Sequence, residues 1–180
     1  SIFLNFLISK YFNSYSVMSN FIIISSIFLI IYSFKDLFIS LKKEKKFDTP
    51  RIISHLGFGL LIFFIGINHN YSEERDFNLK VGQSKKFENY SINFRSLKIE
   101  ERENYQAVVG EFNILNFVNN KKESLTPEIR IYDKPQTMTY EASIRTRISH
   151  DLYLTMSNIN RSEIYNIKFQ KKPFMIWIWM

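Results

Sequence analysis

Cysteine is absent from the chain, which excludes disulfide staples and thiolate metal sites and leaves the redox compartment unmarked. Glycine and proline are scarce, five and four in 180 residues, and there is no Gly-rich phosphate loop, H-E-x-x-H zinc motif or G-x-S-x-G elbow. Acidic residues are outnumbered, 17 against 24 Lys and Arg, for a net charge of +7. The basic residues do not gather into one stripe interleaved with exposed aromatics, so the expectation is no nucleic-acid partner. Four of them, Lys42, Lys43, Lys45 and Lys46, fall in one short run between two apolar segments. In a membrane protein that is the positive-inside signal.

Charge is also missing from two long stretches. Val17 to Phe34, VMSNFIIISSIFLIIYSF, holds about eighteen uncharged residues, and Ile52 to Ile67, IISHLGFGLLIFFIGI, is nearly as long. Each is near the lower limit for crossing a bilayer. A buried helix pair in a soluble protein is the competing reading, but neither segment shows a polar face at 3.6-residue spacing. Ser1 to Phe12 is apolar as well and reads as the remnant of an earlier membrane or interfacial helix. The basic loop, Leu41 to Asp48, is assigned to the cytoplasm or matrix, which puts everything after about Asn70 on the opposite side. The chain opens at Ser1 without Met and stops at Met180 within an aromatic run, so both ends read as cut.

From Asp76 the period changes to two. Tyr90, Ile92 and Phe94 alternate with Ser91, Asn93 and Arg95; Val108, Gly110, Phe112 and Ile114 alternate with Val109, Glu111 and Asn113; Tyr165, Ile167 and Phe169 alternate with Asn166 and Lys168. These are half-buried strands. Val81-Gly82-Gln83, Val118-Asn119-Asn120-Lys121 and Asp133-Lys134-Pro135 read as turns. The expected fold is an integral membrane α-helical anchor of two to three transmembrane helices, then a small all-β domain, barrel- or sandwich-like, of six to eight strands. The expected division is a membrane region over 1–70, with helices at about 17–36 and 51–68, a β domain over 71–172, and the start of a truncated final membrane helix over 173–180. The last assignment rests on Trp177 and Trp179, whose amphipathic rings favour the headgroup level. A last strand edge or a buried tail is the competing, less favoured reading.

His55 is the informative histidine, because it lies inside the second apolar segment. An ionisable side chain there is costly without a partner and is by default a functional-site hypothesis. Neutral imidazole ligates haem iron without a charge penalty. Gly57 and Gly59 remove side chains beside it, letting a flat macrocycle or another helix approach. A histidine that hydrogen-bonds a neighbouring helix, or stays wet near the interface, fits the periodicity equally well. His69 and His150 read as interfacial or surface residues. Glu73-Glu74 and Glu100-Glu101 read as solvated faces, and the sequons at Asn89 and Asn160 are too short to carry weight.

The order of features resembles the C-terminal part of the CcmF family of cytochrome c haem lyases (CcmF/CycK/NrfE). An Ala-His-Leu-Gly helix is matched by Ser54-His55-Leu56-Gly57, and a Lys-Pro-Gly-Glu-Ser turn by Lys80-Val81-Gly82-Gln83-Ser84. Glu103-Asn104-Tyr105 is similar to a Pro-Asn-Tyr element. Pro127-Glu128-Ile129-Arg130-Ile131-Tyr132 is similar to Pro-Glu-Lys-Arg-x-Tyr, and Tyr140-Glu141-Ala142 to Thr-Glu-Ala. Asp151-Leu152-Tyr153, Lys172-Pro173 and Trp177-Ile178-Trp179 complete the series. Ile129, Tyr140, Val81 and Gln83 depart from the pattern.

The resemblance implies that His55 is one axial ligand of a membrane haem b. It implies that the chain takes part in haem transfer and covalent attachment to apocytochrome c, as part of a haem lyase complex. The implied partners are apocytochrome c, the haem chaperone CcmE, maturation subunits such as CcmH, and the lipid bilayer. The implied location is the bacterial inner membrane with a periplasmic β domain, or the mitochondrial inner membrane. The family's tryptophan-rich segment, its flanking histidines and its other membrane histidine lie upstream of the matched region, so this stretch lacks the full active site. The alternative is a non-catalytic membrane-anchored β-domain protein for binding or complex assembly.

Overall fold

The computed structural model describes residues 17–42, 49–158 and 163–180. Ser1 to Phe12, the lysines of the 43–48 loop and the Asn160-Arg161-Ser162 sequon lie outside the described residues. The chain divides into two units: one holds the helices with Ile148–His150 and Lys172–Met180, and the other holds Glu73–Arg147 and Asp151–Lys171.

In the helical unit, α1 (Val17–Lys42) and α2 (Thr49–Tyr71) are long and apolar enough to cross a membrane. At about 1.5 Å per residue they reach about 39 and 35 Å, against about 30 Å of hydrocarbon. α1 continues as helix through Lys35 and Asp36, the first charges, for six more residues.

The two helices meet along a heptad of mostly small residues. Ser19, Ser26 and Ser33 are the buried positions of that stripe on α1, and Ile52, Gly59 and Gly66 are buried on α2. A Cβ on Gly59 would stand 2.9 Å from Ile30 Cγ1, so the missing side chain is what lets α1 come close. The Ser26 and Ser33 hydroxyls donate back to the Ile23 and Leu29 carbonyls at 2.7 and 2.8 Å, which satisfies them without water.

Large apolar side chains point the other way: Phe21, Phe28 and Phe38 are each more than 60% exposed. A helix pair with small residues inside and phenylalanines outside is inverted relative to a soluble core. It suits a hydrocarbon solvent, where close backbone packing replaces the hydrophobic effect between helices.

The second unit is a curled antiparallel β-sandwich. Sheet A has the order β1 (Glu73–Leu79), β10 (Tyr165–Pro173), β9 (His150–Asn158), β8 (Ser143–Arg145). Sheet B has the order β2 (Ser84–Phe87), β3 (Tyr90–Glu101), β4 (Tyr105–Asn116), β6 (Glu128–Asp133), β7 (Gln136–Glu141), with β5 (Lys121–Leu125) also paired to β4. The described residues thus form ten strands, where periodicity suggests six to eight. The additional ones are short, and segments such as Ser84–Phe87 or Ser143–Arg145 offer too few residues for alternation to register.

The core lies between the sheets. Phe94 and Phe112, register partners on β3 and β4, stack with centroids 4.3 Å apart, and Ile167 and Phe169 of β10 and Leu152, Leu154 and Met156 of β9 close over them. Gly110 leaves room for the core side chains: a Cβ there would stand 2.7 Å from Phe112 Cε2 and 2.8 Å from Met156 Sδ. A bulge between Phe94 and Ser96 resets the inward face of β3 to Leu97 and Ile99. The Lys80–Gln83 turn closes with Gln83 N–H donating to the Lys80 carbonyl at 3.0 Å, and Gly82 supplies the positive φ of 86°.

Candidate functional site around His55

His55 projects from the first half of α2, one turn beyond Ile52 and one turn before Gly59, beside the helix seam, and is exposed. Its Nδ1 lies 2.7 Å from the Arg51 carbonyl oxygen. A carbonyl only accepts, so Nδ1 is the donor, and in the neutral tautomer of that ring Nε2 keeps its lone pair. That is the tautomer and backbone anchor a metal-ligating imidazole uses. The ring is held by its own helix; it does not bond α1.

A pocket of about 220 Å³ opens beside the ring, lined by Tyr32, Ser33 and Asp36 of α1 and Arg51, Ile52 and His55 of α2. Within it an Arg51 guanidinium nitrogen lies 3.0 Å from Asp36 Oδ2. The pair carries two opposite charges at one end of the helix pair, where their mutual attraction offsets part of the cost of leaving water. Two residues past His55, a Cβ on Gly57 would meet nothing within 4 Å, so that flank is open, while Gly59 is taken up by helix packing.

An exposed imidazole anchored to its own helix, beside the open Gly57 flank, is able to offer one ring nitrogen to a metal or a planar ligand. The second histidine of the helix, His69, is exposed and fourteen residues on, about 21 Å along the axis, so it does not reach the same site. His150 bonds Ser149 Oγ through Nδ1 at 2.9 Å. Among the described residues there is no cluster of three or more His, Asp or Glu able to hold a metal ion.

The paired carboxylates serve the sheets. Glu73 bonds Lys171 at 3.1 Å, Glu74 binds Gln170 at 2.6 Å and also Lys168, and Glu100 pairs with Arg102. The family-like motifs, far apart in sequence, converge. Arg130 Nε donates to Glu128 at 2.9 Å, its guanidinium carbon lies 5.1 Å from the Tyr105 ring centroid, and Glu141 stands 3.8 Å away. The Glu128 side chain first, then Tyr132, raises the Arg130 pKa above its ordinary value. Three motif fragments are therefore one surface cluster across β4, β6 and β7.

At the chain's end, a single helical turn, α3 (Ile176–Trp179), follows Phe174, whose φ is +54°. Trp177 stacks on Phe64 of α2 with centroids 5.6 Å apart, and its indole N–H donates to the Ile148 carbonyl at 3.0 Å. Asn68 Nδ2 donates to the Pro173 carbonyl at 2.7 Å. Neither this latch nor the Ser19-Ser26-Ser33 stripe is among the expectations read from the sequence. The seven-residue spacing of those serines and of Gly59 and Gly66 is the signal that was there to be read.

A helix pair with its small residues inward and a curled antiparallel sandwich after it defines a membrane-anchored β-sandwich protein. The family profile described as the CcmF C-terminal beta-sandwich matches residues 70–173, and the chain belongs to that family. The cytochrome c-type biogenesis protein CcmF of Escherichia coli (strain K12) is 31% identical over 129 residues, 71% of this chain and 20% of that protein. CcmF of Haemophilus influenzae is 27% identical over 143 residues, 79% of this chain and 22% of that one. The probable cytochrome c-type biogenesis protein NrfE of Escherichia coli (strain K12) is 26% identical over 138 residues, 75% and 24%. The chain thus spans between a fifth and a quarter of the length of these relatives. A solved structure of the cytochrome c haem lyase CcmF superposes with a TM-score of 0.71 over 92% of this chain and 28% of that one, at 12% identity, a likeness of fold.

Proposed function

We propose that this chain is the haem-ligating, membrane-anchored part of a cytochrome c haem lyase, with His55 as one axial ligand of a haem b. The observation that supports the reading is the contact between His55 Nδ1 and the Arg51 carbonyl, which leaves Nε2 available for ligation on an open helix flank. Haem b, when bound, supplies one-electron transfer, which would keep the haem being delivered in its reduced state. The chain's own residues do the holding. Arg51 orients the imidazole through its carbonyl, Asp36 compensates the guanidinium beside it, and Gly57 leaves room for a ring edge. The β-sandwich lies on the non-cytoplasmic side in this reading, where apocytochrome c, the haem chaperone CcmE and maturation subunits such as CcmH are the partners.

The test is His55→Ala in the complete protein, purified from membranes. Loss of the haem Soret band, with normal membrane insertion and recovery of the band on adding imidazole, is the expected result. An unchanged visible spectrum would reduce His55 to a packing residue and leave a non-catalytic assembly protein as the function.

A further inference from the structure

Sheet B outruns its cover. The inner face of β3 and β4 holds the core up to Leu97 and Val108, and Ile129 of β6 is still buried against it. Across the same row the register runs Ile99, Val108, Ile129, Tyr140, and the row's two ends, Ile99 and Tyr140, are 65% and 50% exposed. One step further the row is Glu101, Gln106, Ile131, Met138, with Met138 51% exposed. Two residues along a strand return to the same face, so these rows continue the core surface beyond the sheet that packs on it.

The strand that ends this face is an unguarded edge. Exposed edges are normally blunted by charge, proline or brevity. Among the described edges, β1 carries Glu73, Glu74, Arg75 and Asp76, β2 carries Lys85 and Lys86, and β8 has three residues. β7, Gln136-Thr137-Met138-Thr139-Tyr140-Glu141, has β-formers along its middle and no lysine or proline within it. Among the described residues it pairs only with β6 and forms the end of its sheet.

Beside the second row lies a hollow of about 300 Å³ lined by Glu101, Glu103, Asp133, Gln106 and Ile131, together with Arg102, which pairs with Glu100. Acidic lining is notable in a chain of net charge +7. Apolar rows, a free edge and an acidic hollow on one face describe a particular occupant. We infer that β7 and the uncovered inner face of sheet B receive an extended polypeptide segment of a partner, paired to β7 as an added strand, with alternate apolar side chains on Ile99, Met138 and Tyr140 and a lysine or arginine in the hollow. Main-chain pairing supplies affinity, and the hollow selects charge. This assignment is independent of the role of His55.

The whole chain in lipid nanodiscs, with a fluorescein-labelled peptide of alternating valine and threonine ending in two lysines, provides the test. Fluorescence anisotropy should give saturable binding. Affinity should fall at least tenfold when alternate peptide nitrogens are methylated, when the two lysines become glutamates, or when the protein carries Met138→Lys. Lys86→Glu, on the opposite edge, should change it less than twofold. Far-UV circular dichroism checks that each variant keeps its sheet content. Equal affinity for the methylated and unmethylated peptides, or no saturable binding, overturns the assignment. So does protection of Met138→Cys from maleimide in the full-length protein without a partner, because another part of the same polypeptide would then cover the face.

Discussion

Gly66 of α2 lies against Ile23 of α1 so closely that a Cβ would stand 2.7 Å from Ile23 Cγ1. The contact has no room for a side chain, and Ile23 is β-branched and stiff. Gly66→Leu is expected to push the helices apart at a cost of about 1–3 kcal/mol, by overpacking. Gly57→Ala, at an open flank, should stay within about 0.5 kcal/mol. Thermal unfolding of the helical signal in detergent micelles measures both, and equal effects would mean the seam is not close-packed.

Glu123 on β5 pairs with Arg147 and Lys121 and has only 7% of its side chain exposed. Burial alone pushes its carboxyl up, but Arg147 and then Lys121 outweigh that and hold it below the ordinary 4.5. The folded state therefore binds this proton less readily than the unfolded chain. Stability is complete above about pH 4.5 and drains as pH falls through the folded value. Glu88 runs the other way, raised by burial and by its hydrogen bond to Glu73, so its contribution falls as pH rises through its folded value. Glu123→Gln should flatten the acid limb of a plot of melting temperature against pH. Arg147→Met at pH 7 should cost about 3 kcal/mol by stranding the carboxylate.

The absence of cysteine makes topology directly measurable. A single Asn119→Cys, in the exposed turn between β4 and β5, should react with an impermeant maleimide from the non-cytoplasmic side of intact cells. Cysteine placed at Lys45 should react only after permeabilisation, because charge bias in a short loop sets orientation. The reverse pattern would invert the orientation assigned to the β-sandwich.

Residues 73–173 hold every described strand of both sheets, and the first and last of them, β1 and β10, pair from Glu73 with Lys171 to Leu79 with Tyr165. That segment, expressed alone, is expected to be soluble and β-type by far-UV circular dichroism. A mainly helical or featureless spectrum would mean that the sandwich depends on the membrane helices.

Much of the architecture was legible along the chain because it rests on local period. Uncharged runs announce membrane helices, and Tyr90-Ser91-Ile92-Asn93-Phe94 announces a strand with one buried face. The bulge after Phe94 leaves a trace in the sequence, where the apolar positions step from Tyr90, Ile92 and Phe94 to Leu97 and Ile99, but only the register against β4 shows that the step is a bulge. His55 could be singled out from the sequence, because an imidazole inside an apolar run is conspicuous whatever the fold. Its tautomer could not, because that depends on a carbonyl brought to 2.7 Å by the helix itself.

Composition and spacing alone determined that two helices enter a bilayer and a β domain follows, because solvent preference and side-chain period are properties of neighbouring residues. Only tertiary structure decided that Gly59 and Gly66 seat α1, while the space beside Gly57 stays open. It alone decided that Tyr105, Arg130 and Glu141 form one cluster, and that the inner face beside β7 is left bare. Those outcomes depend on which segments pair across tens of residues. That choice is made by the packing of the whole core and is written in no single stretch of the chain.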